Sequence, residues 1–168
     1  MMVLVVLAWV WVAITQVRVA LRLRMLPSSQ RADLPSLSVL IPACNEQDTL
    51  AAALGSLLAV DYPDLEIVLV NDRSSDATGD LMESLAAGDP RVTVVHVHNL
   101  PAGWLGKTHA LQLASRQARG EWLLFSDADV HFEPDALARA VSWAVSEELD
   151  HLCVGPRIAT ESFWEKIF

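Results

Sequence analysis

Residues 65–78 read "LEIVLVNDRSSDAT". Five of the first six are apolar and three of those are β-branched, the composition of a strand buried on both faces. The strand "LEIVLVND" (65–72) runs out into the polar stretch Asn71-Asp72-Arg73-Ser74-Ser75-Asp76, and Asp76 stands where a helix would begin. A buried strand delivering acidic residues into a turn and then a helix is half of a strand–helix–strand unit. The same pattern recurs along the chain. "LSVLIP" (37–42), "RVTVVHV" (91–97) and "EWLLFSDAD" (121–129) read as further strands, and "HLCVGP" (151–156) as a fifth. Between them lie "DTLAAALGSLLAV" (48–60), capped by Asp48 or Thr49, and "DATGDLMESLAA" (76–87), ending near Gly88. "KTHALQLASRQA" (107–118) is closed by Gly120, and "PDALARAVSWAVSE" (134–147) carries Pro134 in its first turn. Apolar strands alternating with helices imply an α/β fold, a mostly parallel sheet covered by helices on both faces. On such sheets ligands bind beyond the carboxyl ends of the strands.

The 168 residues suffice for one domain with a core, and the net charge of −9 excludes a nucleic-acid surface, which needs a basic stripe. The two cysteines, Cys44 and Cys153, have no metal-ligand spacing and read as buried thiols. The positive charge gathers early: Arg18, Arg22, Arg24 and Arg31 all precede the first acidic residue, Asp33. Ahead of them "MMVLVVLAWVWVAIT" carries no charge. Extended to Leu21, this run approaches the ~20 residues that cross a bilayer as a helix. Residues 1–24 are therefore expected to be a single-pass transmembrane anchor. Residues 25–36 follow as a linker, and the arginines hold the remainder on the cytoplasmic side of the membrane. A buried or amphipathic helix docked on the domain is the competing reading. A cleaved signal peptide would place its basic residues before the apolar run.

The strand ends carry the chemistry. "PACNE" follows the first strand, "NDRSSD" the second, "LPAGWLGKTHA" (100–110) the third, and Asp127-Ala128-Asp129 ends the fourth. Gly106-Lys107-Thr108 is the ending of a phosphate-binding P-loop, G-x-x-x-x-G-K-[ST]. The first glycine of that pattern falls on Pro101, which has no amide hydrogen and cannot take a positive φ. A triphosphatase is therefore only a remote alternative. No G-x-G-x-x-G follows any strand, so a dinucleotide site is also excluded. Asp127 and Asp129 offer hard oxygens that suit Mg²⁺ or Mn²⁺, and an ion so held can neutralise a departing diphosphate. A carboxylate at Asp72 can accept the ring N–H of uracil, thymine or guanine, which adenine and cytosine lack. Asp76 either assists that recognition or caps the second helix. His96 and His98 share a strand face, but no third ligand is near in sequence. His109 reads as packing or capping, and His131 as a possible accessory group. Trp122, Trp143 and Trp164 read as core, whereas Trp104 lies in a loop that could meet substrate.

Together "SVLIPACNE" (38–46), "EIVLVNDRSSDAT" (66–78), "GKTHALQLA" (106–114) and "LLFSDAD" (123–129) resemble the inverting family 2 glycosyltransferases of GT-A type, with a Rossmann-like sheet. The match runs from about Ser38 to Pro156. The loop "LPAGWLGKTHAL" is similar to one in the hopanoid- and carotenoid-associated branch. The resemblance implies transfer of a sugar from a nucleotide-diphosphate sugar, with a UDP-sugar as the expected donor, to a lipid-like or polysaccharide acceptor. It implies that Pro42, Ala43, Asn45 and Glu46 line the nucleotide pocket and that Asp72 reads the base. By the same resemblance Asp127 and Asp129 handle ribose and metal-diphosphate, and the Lys107 loop faces the sugar-diphosphate. It also implies a catalytic base after a fifth strand and a later Q-x-x-R-W acceptor segment. Neither is found by residue 168, and Glu161 and Glu165 do not fit the pattern. Residues 37–168 are accordingly expected to be the nucleotide-sugar-binding part alone. A non-catalytic nucleotide-sugar-binding fragment is the alternative.

Overall fold

The computed structural model describes residues 2–20, 25–28 and 33–155. Helix α1, Met2–Ala20, is followed by β1 (Leu37–Ala43), α2 (Leu50–Leu58), β2 (Leu65–Asp72), α3 (Thr78–Gly88), β3 (Val92–Val97), α4 (Gly106–Gln117), β4 (Trp122–Phe125) and α5 (Ala136–Ser146). The four strands form one parallel sheet in the order β3-β2-β1-β4.

Strand periodicity sorts the side chains into two cores. Val39, Ile41, Ile67 and Leu69 point to one face, where they meet Leu50, Leu54 and Leu57 of α2, Met82 of α3 and Leu137 and Val141 of α5. Leu40, Val68 and Val70 point to the other, against Ala110 and Ala114 of α4. The two alanines stand four apart on one face of α4 and have no bulk, so the helix lies close on β1 and β2. Burying a leucine such as Leu54 or Leu57 stabilises the fold by about 1.5–3 kcal/mol each.

The strand order sets the position of the site. The chain runs β1, β2, β3 to one side and returns to place β4 on the other side of β1. The switch point therefore lies between β1 and β4, and there the two strands part. Leu40 O accepts the Ser126 amide at 3.1 Å, the last bond of the ladder. Pro42, two residues on, turns its donor-less nitrogen the same way and ends the pairing. β1 continues to pair with β2 up to Ala43↔Asn71. Beyond that bond the carboxyl ends of β1 and β4 no longer pair, and the rule for such sheets puts the ligand crevice there.

Gly120 does not terminate α4, which ends at Gln117 with Ala118 as its C-cap. A Cβ at Gly120 would lie 2.5 Å from Ser38 N and 2.7 Å from Ser38 Oγ, so the position needs glycine for close approach. The Gly120 amide donates to Ser38 Oγ at 2.8 Å, and that hydroxyl donates to Glu66 Oε2 at 2.6 Å. Residues before β1 are tied to the domain. Arg139 of α5 donates to the carbonyls of Leu26 and Pro27, and the Tyr62 hydroxyl donates to Pro35 O at 2.6 Å. Burial, then the charges of Asp64 and Glu121, push the Tyr62 hydroxyl up to about 12.

Three expectations are corrected. Among the described residues, no helix is long and apolar enough to cross a membrane. In α1 the unbroken apolar run stops at Ile14, and Thr15, Gln16 and Arg18 follow within the helix, short of the ~20 apolar residues a span requires. The transmembrane anchor is withdrawn, and with it the single-pass cytoplasmic-membrane placement. Residues 151–155 form no strand. Cys44 and Cys153 are exposed thiols rather than buried ones. Trp164, Glu161 and Glu165 lie outside the described residues.

Candidate functional site

Two loops build one wall of the crevice. The turn after β1 and the turn after β2 are zipped together by side chains. Asn45, at φ +59°, accepts the Ser75 amide on its Oδ1 at 2.8 Å, and its own amide donates to Ser74 Oγ at 3.1 Å. The Glu46 amide donates to Thr78 Oγ1 at 2.8 Å, and Gln47 Oε1 accepts the Ala77 amide at 3.1 Å. Asp76 accepts the Thr78 amide on Oδ1 at 3.0 Å and the Gln47 amide on Oδ2 at 3.3 Å. These bonds, the contact with Thr78 foremost, hold its carboxyl below the ordinary range, against the opposing effect of desolvation. Asp76 thus joins the two loops and serves the start of α3, although the formal N-cap position falls on Ala77. Pro42 and Ala43 end β1 just before these loops, with Ala43 buried.

Asp72 is the last residue of β2 and is 5% exposed. Both of its oxygens are engaged by Arg73: Nε reaches Oδ1 at 2.8 Å and Nη2 reaches Oδ2 at 3.1 Å. Arg73 has φ +58°, a left-handed conformation uncommon for a non-glycine residue, and its amide bonds both Asn71 O and Val97 O at 3.2 Å. Gly106, first residue of α4, abuts this pair. A Cβ there would lie 2.5 Å from Asp72 Oδ2 and 2.6 Å from Arg73 Nη2.

The α4 start makes the other wall. Trp104 N bonds Pro101 O at 3.2 Å with Gly103 at φ +83°, a turn of type II that Gly103 alone can make. Leu105 is the N-cap and makes no side-chain cap bond, so the first amides of the 12-residue helix have no capping acceptor from that side chain. Lys107 Nζ donates to Asp127 Oδ1, and both side chains are mostly exposed. The two glycines of the loop therefore serve a turn and a close approach, not a phosphate wrap, and the P-loop alternative has no geometric support.

Asp127 and Asp129 stand just past β4, both exposed, on either side of buried Ala128. Among the described residues no three His, Cys, Asp or Glu groups are gathered as a metal cage. Two hard carboxylates at an open crevice nevertheless fit Mg²⁺ or Mn²⁺, which is commonly held by one or two carboxylates and completed by substrate phosphate and water. The structure thus brings Asn45, Glu46, Asp72, Lys107, Asp127 and Asp129 to one end of the sheet. His96 is occupied elsewhere, with Nε2 2.7 Å from Glu83 Oε1 and Nδ1 3.0 Å from Asn71 Nδ2. His109 packs edge-on against Trp104 at 5.5 Å, and its buried Nδ1 has no hydrogen-bond partner among the described residues. Arg73 is absent from the residues singled out by sequence reasoning. Nothing in the sequence announces a positive φ at an arginine, and that φ accompanies the contact with Asp72.

A parallel sheet in this order, split at its switch point beside acidic strand ends, is a Rossmann-like α/β domain of the GT-A kind. The chain belongs to glycosyl transferase family 2, whose model matches residues 38–167, 130 of the 168. It is 35% identical over 106 residues to the GalNAc(5)-diNAcBac-PP-undecaprenol beta-1,3-glucosyltransferase of Campylobacter jejuni, a match covering 62% of this chain and 33% of that protein. In structure it is similar to the mannosyltransferase PcManGT from Pyrobaculum calidifontis in complex with GDP-Man and Mn²⁺. That TM-score is 0.62 at 29% identity, over 82% of this chain and 39% of that one. It is also similar to S. aureus TarS 1-349 in complex with UDP-GlcNAc, at a TM-score of 0.59 and 26% identity, over 67% and 32% of the two chains. The matches cover between 26% and 42% of the length of these curated relatives.

Proposed function

We propose that this chain binds a nucleoside-diphosphate sugar in the β1/β4 crevice and serves the transfer of that sugar, with inversion, to a lipid-like or glycan acceptor. The observation that carries the reading is the convergence of buried Asp72, the uncapped start of α4 with Lys107, and the Asp127/Asp129 pair on one edge of a parallel sheet. Each matches one part of the donor. Asp72 accepts a ring N–H, which selects uracil or guanine over adenine and cytosine. Lys107 and the α4 amides face the diphosphate, since a helix start favours anions. Asp127 and Asp129 would hold Mg²⁺ or Mn²⁺, which when bound neutralises charge on the departing diphosphate. Asn45, Glu46 and Asp76 position the pocket by locking the two loops together. Neighbours that bind GDP-Man with Mn²⁺ and UDP-GlcNAc support the donor class, and the undecaprenol-linked name of a relative supports the acceptor class. The loop 100–110 is the support for the hopanoid- and carotenoid-associated branch.

The test is calorimetric titration of the full chain with UDP-GlcNAc, GDP-mannose and ATP, with and without Mn²⁺. Binding of one nucleotide sugar that strengthens with Mn²⁺, and no binding of ATP, is expected. Equal affinity for ATP, or no response to Mn²⁺, would overturn the reading.

A further inference from the structure

Asp72 meets a difficulty that the donor-site reading leaves open. Its side chain is 7% exposed, and both oxygens are already held by Arg73. A buried carboxylate is costly without partners, so its own neighbour supplies them while no ligand is bound. Each oxygen keeps a free lone pair, but with so little of the carboxylate exposed an incoming ring N–H competes with the guanidinium for access to it.

Three features say how the exchange can occur. The Arg73 backbone is anchored, its amide shared between Asn71 O and Val97 O, so only the side chain is free to turn. That side chain is 37% exposed and has room to do so. Its guanidinium already rests against the start of α4, where Gly106 leaves the space a Cβ would fill. The guanidinium therefore already stands at the helix start, where the proposed reading puts the diphosphate.

We propose that Arg73 is a ligand-exchange residue: it pairs with Asp72 in the empty site, is displaced from it by the nucleobase, and then pairs with the diphosphate of the same ligand. Resting on the donor-site reading above, this adds to it a residue that links base recognition to diphosphate recognition. A nucleoside alone displaces Arg73 and gives it no new anion. A nucleoside diphosphate displaces it and supplies one, bidentately, as guanidinium and phosphate geometry allow. Discrimination for the diphosphate then comes partly from Arg73 being released.

The consequence is a pair of effects opposite in sign. Arg73→Met should tighten uridine or guanosine binding by about threefold to tenfold, because nothing competes for Asp72. The same change should weaken UDP or GDP binding by roughly tenfold or more, the usual scale for a lost charged hydrogen bond. Arg73→Lys keeps a cation without the fork. It should leave UDP within about threefold of wild type and still tighten uridine. In an Asp72→Asn background Arg73→Met should lose its effect on the nucleoside, since the two residues act on one oxygen pair.

Titrations of uridine, UDP, guanosine and GDP into wild type and these variants, with thermal melting as the check on folding, decide the matter. Opposite shifts for nucleoside and diphosphate support the exchange. Shifts of the same sign, or none, overturn it while leaving the donor-site reading intact. Failure of wild type to bind any of the four overturns both. Should Arg73→Met not fold, the uridine response of Arg73→Lys carries the comparison: tightening supports the exchange, and an unchanged or weaker value overturns it.

Discussion

Gly106→Ala isolates the junction between Asp72 at the end of β2 and the start of α4. Two effects oppose each other. Gly106 is the first residue of a helix, where alanine is favoured by up to about 1 kcal/mol over glycine. The new methyl would, however, sit 2.5 Å from Asp72 Oδ2 and 2.6 Å from Arg73 Nη2, where ordinary contact begins near 3.4 Å. The pair must retreat by roughly 0.8–0.9 Å, enough to carry the 3.1 Å Nη2–Oδ2 bond beyond hydrogen-bonding range. Arg73 can swing outward, but Asp72 is walled in at the end of β2. Overpacking against such a group costs about 1–3 kcal/mol. The net expectation is a loss of about 1–2 kcal/mol, read as a drop in melting temperature of about 3–8 °C. On the proposed reading UDP affinity should fall by roughly tenfold, since both the Asp72 carboxylate and the helix start are displaced. Urea unfolding followed by far-ultraviolet circular dichroism gives the first quantity and calorimetry the second. A variant that melts at or above wild type and binds UDP unchanged would show that helix propensity wins and that the junction does not constrain the site.

Asp129→Ala should abolish the Mn²⁺-dependent part of UDP binding with little change in melting temperature, because Asp129 is exposed; retained Mn²⁺ dependence in calorimetry would remove it from the metal site. Glu66→Gln probes the far end of the sheet. Burial pushes the Glu66 carboxyl up, but hydrogen bonds from Ser38 and from the amide and guanidinium of Arg119 outweigh it, and the carboxyl ends below its ordinary 4.5. A depressed carboxyl stabilises fully above its unfolded value and loses that stability as pH falls through its folded one. The wild type should therefore exceed Glu66→Gln by about 2 kcal/mol at pH 7, and the gap should close as pH drops below 4.5. A gap independent of pH in urea titrations would point to packing instead. Gly120→Ala should cost about 3 kcal/mol, because its Cβ would meet the backbone of Ser38, which cannot move within the sheet; unchanged melting would mean that the loop at 118–120 yields instead.

Legibility followed the range of the interactions involved. β2 was readable to the residue, Leu65–Asp72, because a run of β-branched apolar residues bounded by a polar turn carries its own boundaries. The helices were readable as bodies, and α3 ends at Gly88 as its pattern implies. β4 was overestimated. "EWLLFSDAD" reads as one strand, but its ladder partner contains Pro42, and a ladder's length is a property of two segments distant in sequence. Gly120 shows the same limit: a glycine after a helix reads as a stop, whereas the need for it comes from Ser38, 82 residues away. The clustering of Asp72, Lys107 and Asp127 at one edge was legible because parallel topology sends every strand's carboxyl end the same way. That Arg73 occupies Asp72 and Lys107 occupies Asp127 was not legible, since ion pairs within a site depend on side-chain directions that spacing does not encode.

The likeness of Gly106-Lys107-Thr108 to a P-loop has a physical origin that the structure separates into parts. In both settings a helix begins with amides that lack partners, and a lysine in its first turn stands near the anion they attract. What differs is the segment before the helix. A P-loop wraps the phosphates with backbone amides, which requires glycine five residues ahead. Here that place holds Pro101, and the chain makes one tight turn at Gly103 before α4 starts. The helix start lies against Asp72 and Arg73 at Gly106, and the carboxylates of Asp72 and Asp127 hold the Arg73 and Lys107 cations beside it. Such an arrangement recognises an anion that arrives with something to replace each carboxylate's partner. On the proposed reading a nucleoside diphosphate with a divalent ion would do both, its base meeting Asp72 and its metal meeting Asp127. Adenosine triphosphate carries no ring N–H for the first of these, so on the proposed reading the same three residues would serve a different ligand here.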